Sequence, residues 1–260
     1  MRHLRWAILA VVAVALCAAP VAAAHDHKER GAVVAPAHKV AGLTGGELLG
    51  EAWVQLLSHP ANTFAGSCTP VVRKVVSPEP DADGNSSCTI KKGTSLFIPV
   101  GSDCSNVEPD PFFGADEAAQ RECAIAADEF FVAISIAVDG GEPVDIRNPR
   151  FELISPQRSV ELPEDNYLGV PAGPATFVAH GWAGLVKKLR PGEHTITVVV
   201  ADSEGGTFTG TISVEVVRRG HRHGHDGHHG DDGHHGDDGH HGHHGHDGHH
   251  GHDGHHGDDD

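Results

Sequence analysis

The chain has 260 residues, with 36 Asp and Glu against 19 Lys and Arg, a formal net charge of −17 with histidine neutral. Such a balance argues against nucleic acid as a partner, because phosphate binding needs clustered Lys and Arg, and here Lys91-Lys92, Lys187-Lys188 and Arg218-Arg219 are short, scattered and read as solvated surface. Histidine is the unusual component at 24 residues, most of them near the carboxyl end.

At the amino end, Arg2 and Arg5 precede the apolar run of residues 6–24, which closes on Ala22-Ala23-Ala24. Charged, apolar and small-residue regions in that order predict a signal peptide over residues 1–24. An uncleaved anchor is the competing reading, but Pro20 and the Ala-rich end favour cleavage. Cys17 follows Leu16, where a lipoprotein would carry a small residue, and is assigned to the removed peptide. No later stretch is long and apolar enough to span a bilayer, so the mature protein is expected to be secreted, extracellular or associated with the cell envelope. Residues 25–42 show no sustained period and read as a flexible leader. Cleavage after Ala24 would place His25 and His27 at positions one and three. A free amine, two backbone amides and the His27 imidazole then make a square-planar set for Cu2+ or Ni2+.

Residues 43–219 read as one domain. Leu48, Leu49, Ala52, Trp53, Leu56 and Leu57 recur at helical spacing, and Pro60 ends that helix. Residues 89–101 read as strand, and 115–128 as a second short helix with Asp116 and Glu117 in its first turn. The period then becomes two. Val132, Ile134, Ile136 and Val138 alternate, and residues 189–217 form the clearest hairpin, with Phe208, Gly210, Ile212, Val214 and Val216 on its buried face. Short strands with Gly and Pro turns predict a mainly β, sandwich-like (Ig-like) antiparallel domain carrying one or two helices.

Cysteine usage agrees with export. Cys68, Cys88, Cys104 and Cys123 are even in number and include no C-x-x-C pair, which favours two disulfides over a zinc-thiolate site. Of three possible pairings, the one between sequence neighbours is preferred.

The segments LTGGELLGEAWVQLLS, GTSLFIPVGSDCS, EPDPFFGADEAAQRECA, ELPEDNYLGVPAG and LRPGEHTI resemble, in that order, a family of uncharacterised secreted bacterial proteins over about residues 43–217. The resemblance implies structural disulfides and an exported domain. It transfers no catalytic residue and does not include the carboxyl end. From the residues themselves, His180 and His194 are the only catalytic candidates, and neither has a visible partner. Glu164, Asp165 and Asn166 read as a polar turn, and DADGNSS (81–87) as a surface turn, since Gly84 comes too early for a calcium loop. Without a G-x-S-x-G, H-E-x-x-H or phosphate-cradling loop, the chain is not expected to be an enzyme.

Residues 220–260 differ in kind. Glycine occupies every third position from Gly224 to Gly257, without the prolines of collagen and without apolar residues to bury, so the segment is expected to be disordered. It carries 17 histidines: His221, His223, His225, His228, His229, His234, His235, His240, His241, His243, His244, His246, His249, His250, His252, His255 and His256. Neutral imidazole with nearby carboxylate suits Zn2+, with Ni2+ and Cu2+ as alternatives, and the absence of tail sulfur disfavours Cu(I). The expected function is buffering or sequestration of divalent transition metals, with a metal transporter or a cell-envelope polymer as candidate partner. The alternative is pH-dependent adhesion. With imidazole pKa values near about 6.5, 17 histidines outweigh ten aspartates in mild acid and the tail changes sign.

Overall fold

The computed structural model describes residues 32–218. The expected signal peptide, most of the leader and the histidine-rich tail lie outside these residues. In chain order the elements are β1 (Ala32–Val34), α1 (Gly45–Leu57), β2 (Ser67–Val72), β3 (Val75–Glu79), β4 (Asn85–Lys91), β5 (Ser95–Ser105), α2 (Glu117–Asp128), β6 (Phe131–Val138), β7 (Val144–Asp145), β8 (Glu152–Ile154), β9 (Arg158–Leu162), β10 (Gly173–Lys187), β11 (Gly192–Asp202) and β12 (Thr207–Val217).

The strands form two sheets. One has the order β1-β10-β5-β3-β2, with β8 and β9 also on β10; the other runs β4-β12-β11-β6-β7. Ile98 and Trp182 of the first meet Ile134, Ile136, Ile196 and Ile212 of the second in one apolar core. A second core lies on the other face of the first sheet, where Leu48 and Leu49 of α1 pack on Phe97, Phe177 and Leu185. The architecture is the mainly β, sandwich-like domain with two helices that the alternation predicts.

Local chemistry accounts for the helices. Thr44 caps α1 and forms a capping box with Glu47, whose carboxylate accepts from the Thr44 N–H at 2.7 Å. The helix stops at Ser58, two residues before Pro60. Asp116 is the N-cap of α2 rather than a first-turn residue, accepting from the Ala119 N–H at 2.9 Å.

Both cysteine pairs join as sequence neighbours. Cys68 of β2 bonds to Cys88 of β4 and so ties one sheet to the other; Cys104 of β5 bonds to Cys123 and ties α2 to the first sheet. Oxidised cysteines fit an oxidising compartment, and among the described residues no helix is long and apolar enough to cross a membrane.

Three details depart from expectation. The leader is not featureless: Ala32, Val33 and Val34 pair with Lys187, Val186 and Leu185 of β10, three residues being too few to show a period. The sheets are mixed, because β4 runs parallel to β12 and β3 parallel to β5. On β12, Ile212, Val214 and Val216 are buried as predicted, but Phe208 is 50% exposed. Its ring lies over Gly84, where a Cβ would sit 2.4 Å from Cζ; at φ +81° that position favours glycine on backbone grounds as well.

Candidate functional site

Strands β3 and β5 pair only at Val75 with Ser95 and Val76 with Leu96. The Ser95 N–H donates to the Lys74 carbonyl at 2.9 Å, which sets the phase of the ladder. In a parallel pair each residue bonds to the two that flank its partner. After Phe97, the next rungs would run from the nitrogen of Pro78 to Phe97 O, of Pro99 to Pro78 O, and of Pro80 to Pro99 O. Proline has no N–H, so three successive rungs cannot form. The strands part there, and the carbonyls of Phe97, Pro78 and Pro99 lack the donors that a continued ladder would supply.

The gap is the mouth of a cleft of about 460 Å³. Its walls come from α1 through Trp53 and Leu56, from the split strands, and from the second sheet through Val198, Val200, Phe208 and Ile212. Tyr167 closes one side, its ring edge-to-face with Trp53 at 6.3 Å between centroids. The polar turn predicted at Glu164–Asn166 holds Tyr167 there. Buried Asn166 donates to the Pro163 and Val170 carbonyls at 2.8 and 2.7 Å, so its amide serves the backbone and not a cation. The DADGNSS loop is likewise a turn, with Asp81 Oδ1 accepting from the Asp83 and Asn85 N–H groups.

Two polar side chains on one face of β3 line the cleft. Burial pushes the Glu79 carboxyl up to about 7, against a smaller opposing influence of the Ser77 hydroxyl. Ser77 is 1% exposed, and its hydroxyl lies close enough to the Glu79 carboxyl to favour the ionised form. The Tyr167 phenol is raised by its own desolvation and then by the charges of Asp103 and Glu79. Asp103, buried beside Asp110 and Asp128, is also pushed up to about 7. Among the described residues, no Lys, Arg or His lines the cleft. Its electrostatic character is that of acceptors and acids inside apolar and aromatic walls.

A second buried array involves His180 on β10. Its Nδ1 lies 2.8 Å from Asp128 at the end of α2, and its Nε2 lies 3.2 Å from Glu152 on β8. Burial alone would lower the His180 pKa, but the two carboxylates outweigh it and raise the value. The Trp182 ring stands edge-on to the imidazole, and Arg147 stacks on that indole at 3.7 Å. Both imidazole nitrogens are engaged, Ser102 bonds the Asp128 carboxyl from the neighbouring strand, and the array ties helix α2 to the first sheet. His194 pairs with Asp139 at 2.8 Å and bonds the Arg190 carbonyl through its other nitrogen.

Of the residues the sequence singles out, the four cysteines are brought together in pairs. The predicted metal ligands His25, His27 and the tail histidines His221–His256 lie outside the described residues. Among the described residues no group of three or more His, Cys, Asp or Glu is placed to hold a metal ion. Sequence reasoning missed Glu79, Ser77, Tyr167 and the three prolines of the split.

No family model matches the chain, and no curated protein is found similar to it. A solved structure titled "Solution Structure of Amebosin" is similar at 12% identity over 55% of this chain and 96% of its own length, with a TM-score of 0.22, too distant to carry an argument.

Proposed function

We propose that the chain is a secreted protein that sequesters divalent transition metals, zinc foremost, through the histidines of residues 220–260. The observation that carries this reading is the composition of that segment: 17 imidazoles and ten carboxylates on a backbone with glycine at every third position. Glycine lets distant imidazoles converge on one ion with little steric resistance. At three or four imidazoles per ion, the segment has ligands for about four to six metals. Every ion orders more chain, so affinities are graded rather than uniformly tight. The folded domain supports this division of labour, because His59, His180 and His194 already spend ring nitrogens on hydrogen bonds within it. Metal release on mild acidification follows from imidazole protonation.

Calorimetric titration with Zn2+ of the mature chain, beside a chain ending at Arg219, tests the reading. The longer chain is expected to take up several ions at neutral pH and to lose them by about pH 5. Equal uptake by the two chains overturns the proposal.

A further inference from the structure

We propose that the cleft opened between β3 and β5 is a binding site for a small organic cation, a primary ammonium carried on an apolar, ring-sized body. Four observations meet there. Three prolines delete the rungs that would close the sheet, so the carbonyls of Pro78 and Pro99, both lining residues, have no ladder donors. Ser77 Oγ is buried on the same wall, beside the Glu79 carboxyl. Among the described residues, Glu79 is the only carboxyl lining the cleft, and no basic side chain lines it. The remaining walls are mostly apolar or aromatic, with Trp53, Tyr167, Phe131 and Phe208 among them and Ser86 as a further polar residue.

Each observation selects the same ligand class. An ammonium group has three donors and no acceptor, which matches two carbonyls, a carboxylate and a hydroxyl. Aromatic faces attract the same charge and cover the body that carries it. A carboxylate or phosphate ligand would meet these carbonyls and the Glu79 charge with no compensating cation. A purely apolar ligand would leave the Glu79 carboxyl and the carbonyls desolvated. The volume, about 460 Å³, lies within the range of small-molecule sites.

The site has a built-in proton dependence. The titratable groups around Glu79 are Tyr167 on the cleft wall and Asp103 on β5, which acts on Tyr167 together with Glu79; α1, β4, β6, β11 and β12 bring no ionisable side chain into the cleft. An ammonium bound beside Glu79 holds that carboxyl ionised, so binding releases a proton where the free acid had kept one.

The test uses the mature full-length protein at pH 8 and about 150 mM NaCl, which screens weak long-range attraction of the amine to the aspartates of residues 220–260. Phenylbutylamine, phenylbutanol and phenylbutyrate, which share one apolar body, are titrated by calorimetry and by tryptophan fluorescence. The amine is expected to bind on the order of tenfold tighter than the alcohol, as one charge-assisted contact implies, and the butyrate more weakly than both. Glu79→Gln should erase the amine's advantage while leaving the alcohol unchanged. In the unsubstituted protein, amine affinity should fall by about tenfold in all between pH 8 and pH 5, and alcohol affinity should not. An amine no tighter than the alcohol, a butyrate that competes with it, or an amine affinity indifferent to both Glu79→Gln and pH overturns the proposal. Zinc uptake by the tail is indifferent to each of these outcomes.

Discussion

Glu79→Gln should stabilise the ligand-free domain, and by an amount that depends on pH in a defined way. The carboxyl ordinarily titrates near 4.5, and burial on the wall of the cleft moves it up to about 7. The folded state therefore holds this proton more tightly than the unfolded chain does. Stability linked to Glu79 is complete below pH 4.5 and is lost as pH rises to about 7. One pKa unit corresponds to about 1.4 kcal/mol, so the full loss is about 3 kcal/mol. Glutamine has nearly the same shape and cannot ionise. Urea unfolding of both proteins should give indistinguishable midpoints at pH 4, and the variant should lead by about 2 kcal/mol at pH 6 and about 3 kcal/mol above pH 7.5. Comparing two proteins at each pH cancels every other titration, so the shape of the difference reports Glu79 alone. A difference that is flat with pH, or that favours the glutamate at pH 8, refutes the reasoning. A carboxyl that weakens its own fold is expected where function requires it.

Replacing Cys68 and Cys88 together by Ala removes the link between the sheets; closing a loop of sequence separation 20 implies a loss of about 3 kcal/mol, read as a lower urea midpoint, while zinc uptake persists. Gly101→Ala places a Cβ 2.1 Å from the His180 carbonyl and 2.5 Å from the Gly181 Cα, both backbone atoms, so a loss of at least about 3 kcal/mol is expected; an unchanged midpoint would show that β5 and β10 do not approach as described.

The parts of this fold legible in the sequence are those specified by neighbours in the chain. The stripe from Leu48 to Leu57 and the alternation through β11 and β12 each need only one window of residues, and the cysteine pairs join positions 19 and 20 residues apart. The leader strand was missed because Ala32–Val34 is specified by the free edge of β10, more than 150 residues away. The cleft was illegible for a related reason. Pro78, Pro80 and Pro99 each read locally as ordinary strand or turn punctuation. Only the register of Val76 with Leu96 shows that they fall on consecutive rungs of one ladder. Likewise, SPEP gives no hint that Glu79 is desolvated, since the apolar walls that raise its pKa arrive from α1 and the second sheet. His180 stood alone in the sequence because Asp128 and Glu152 lie 52 and 28 residues away.

The titrations of the buried groups share one sign, and the sum predicts an unusual stability profile. Burial raises Glu79 and Asp103 from 4.5 and 3.8 to about 7 each. His180 and His194 are raised above 6.5 because their carboxylate partners outweigh burial. For the acids, the stability linked to the proton is complete below the unfolded value and lost between there and about 7. For the histidines it is complete below 6.5 and lost as pH climbs through the raised folded values. Glu47, lowered by its bond to the Thr44 backbone, has the opposite sign but is fully exposed and carries little weight. Melting temperature should therefore fall steadily from pH 5 to pH 8, where most domains are near their optimum. Differential scanning calorimetry of the metal-free protein decides it, and a melting temperature that rises with pH across that interval would refute the burial assigned to these carboxyls. The direction also suits the proposed function: the acid that strips zinc from the imidazoles of residues 220–260 is the condition in which the domain carrying them is most firmly folded.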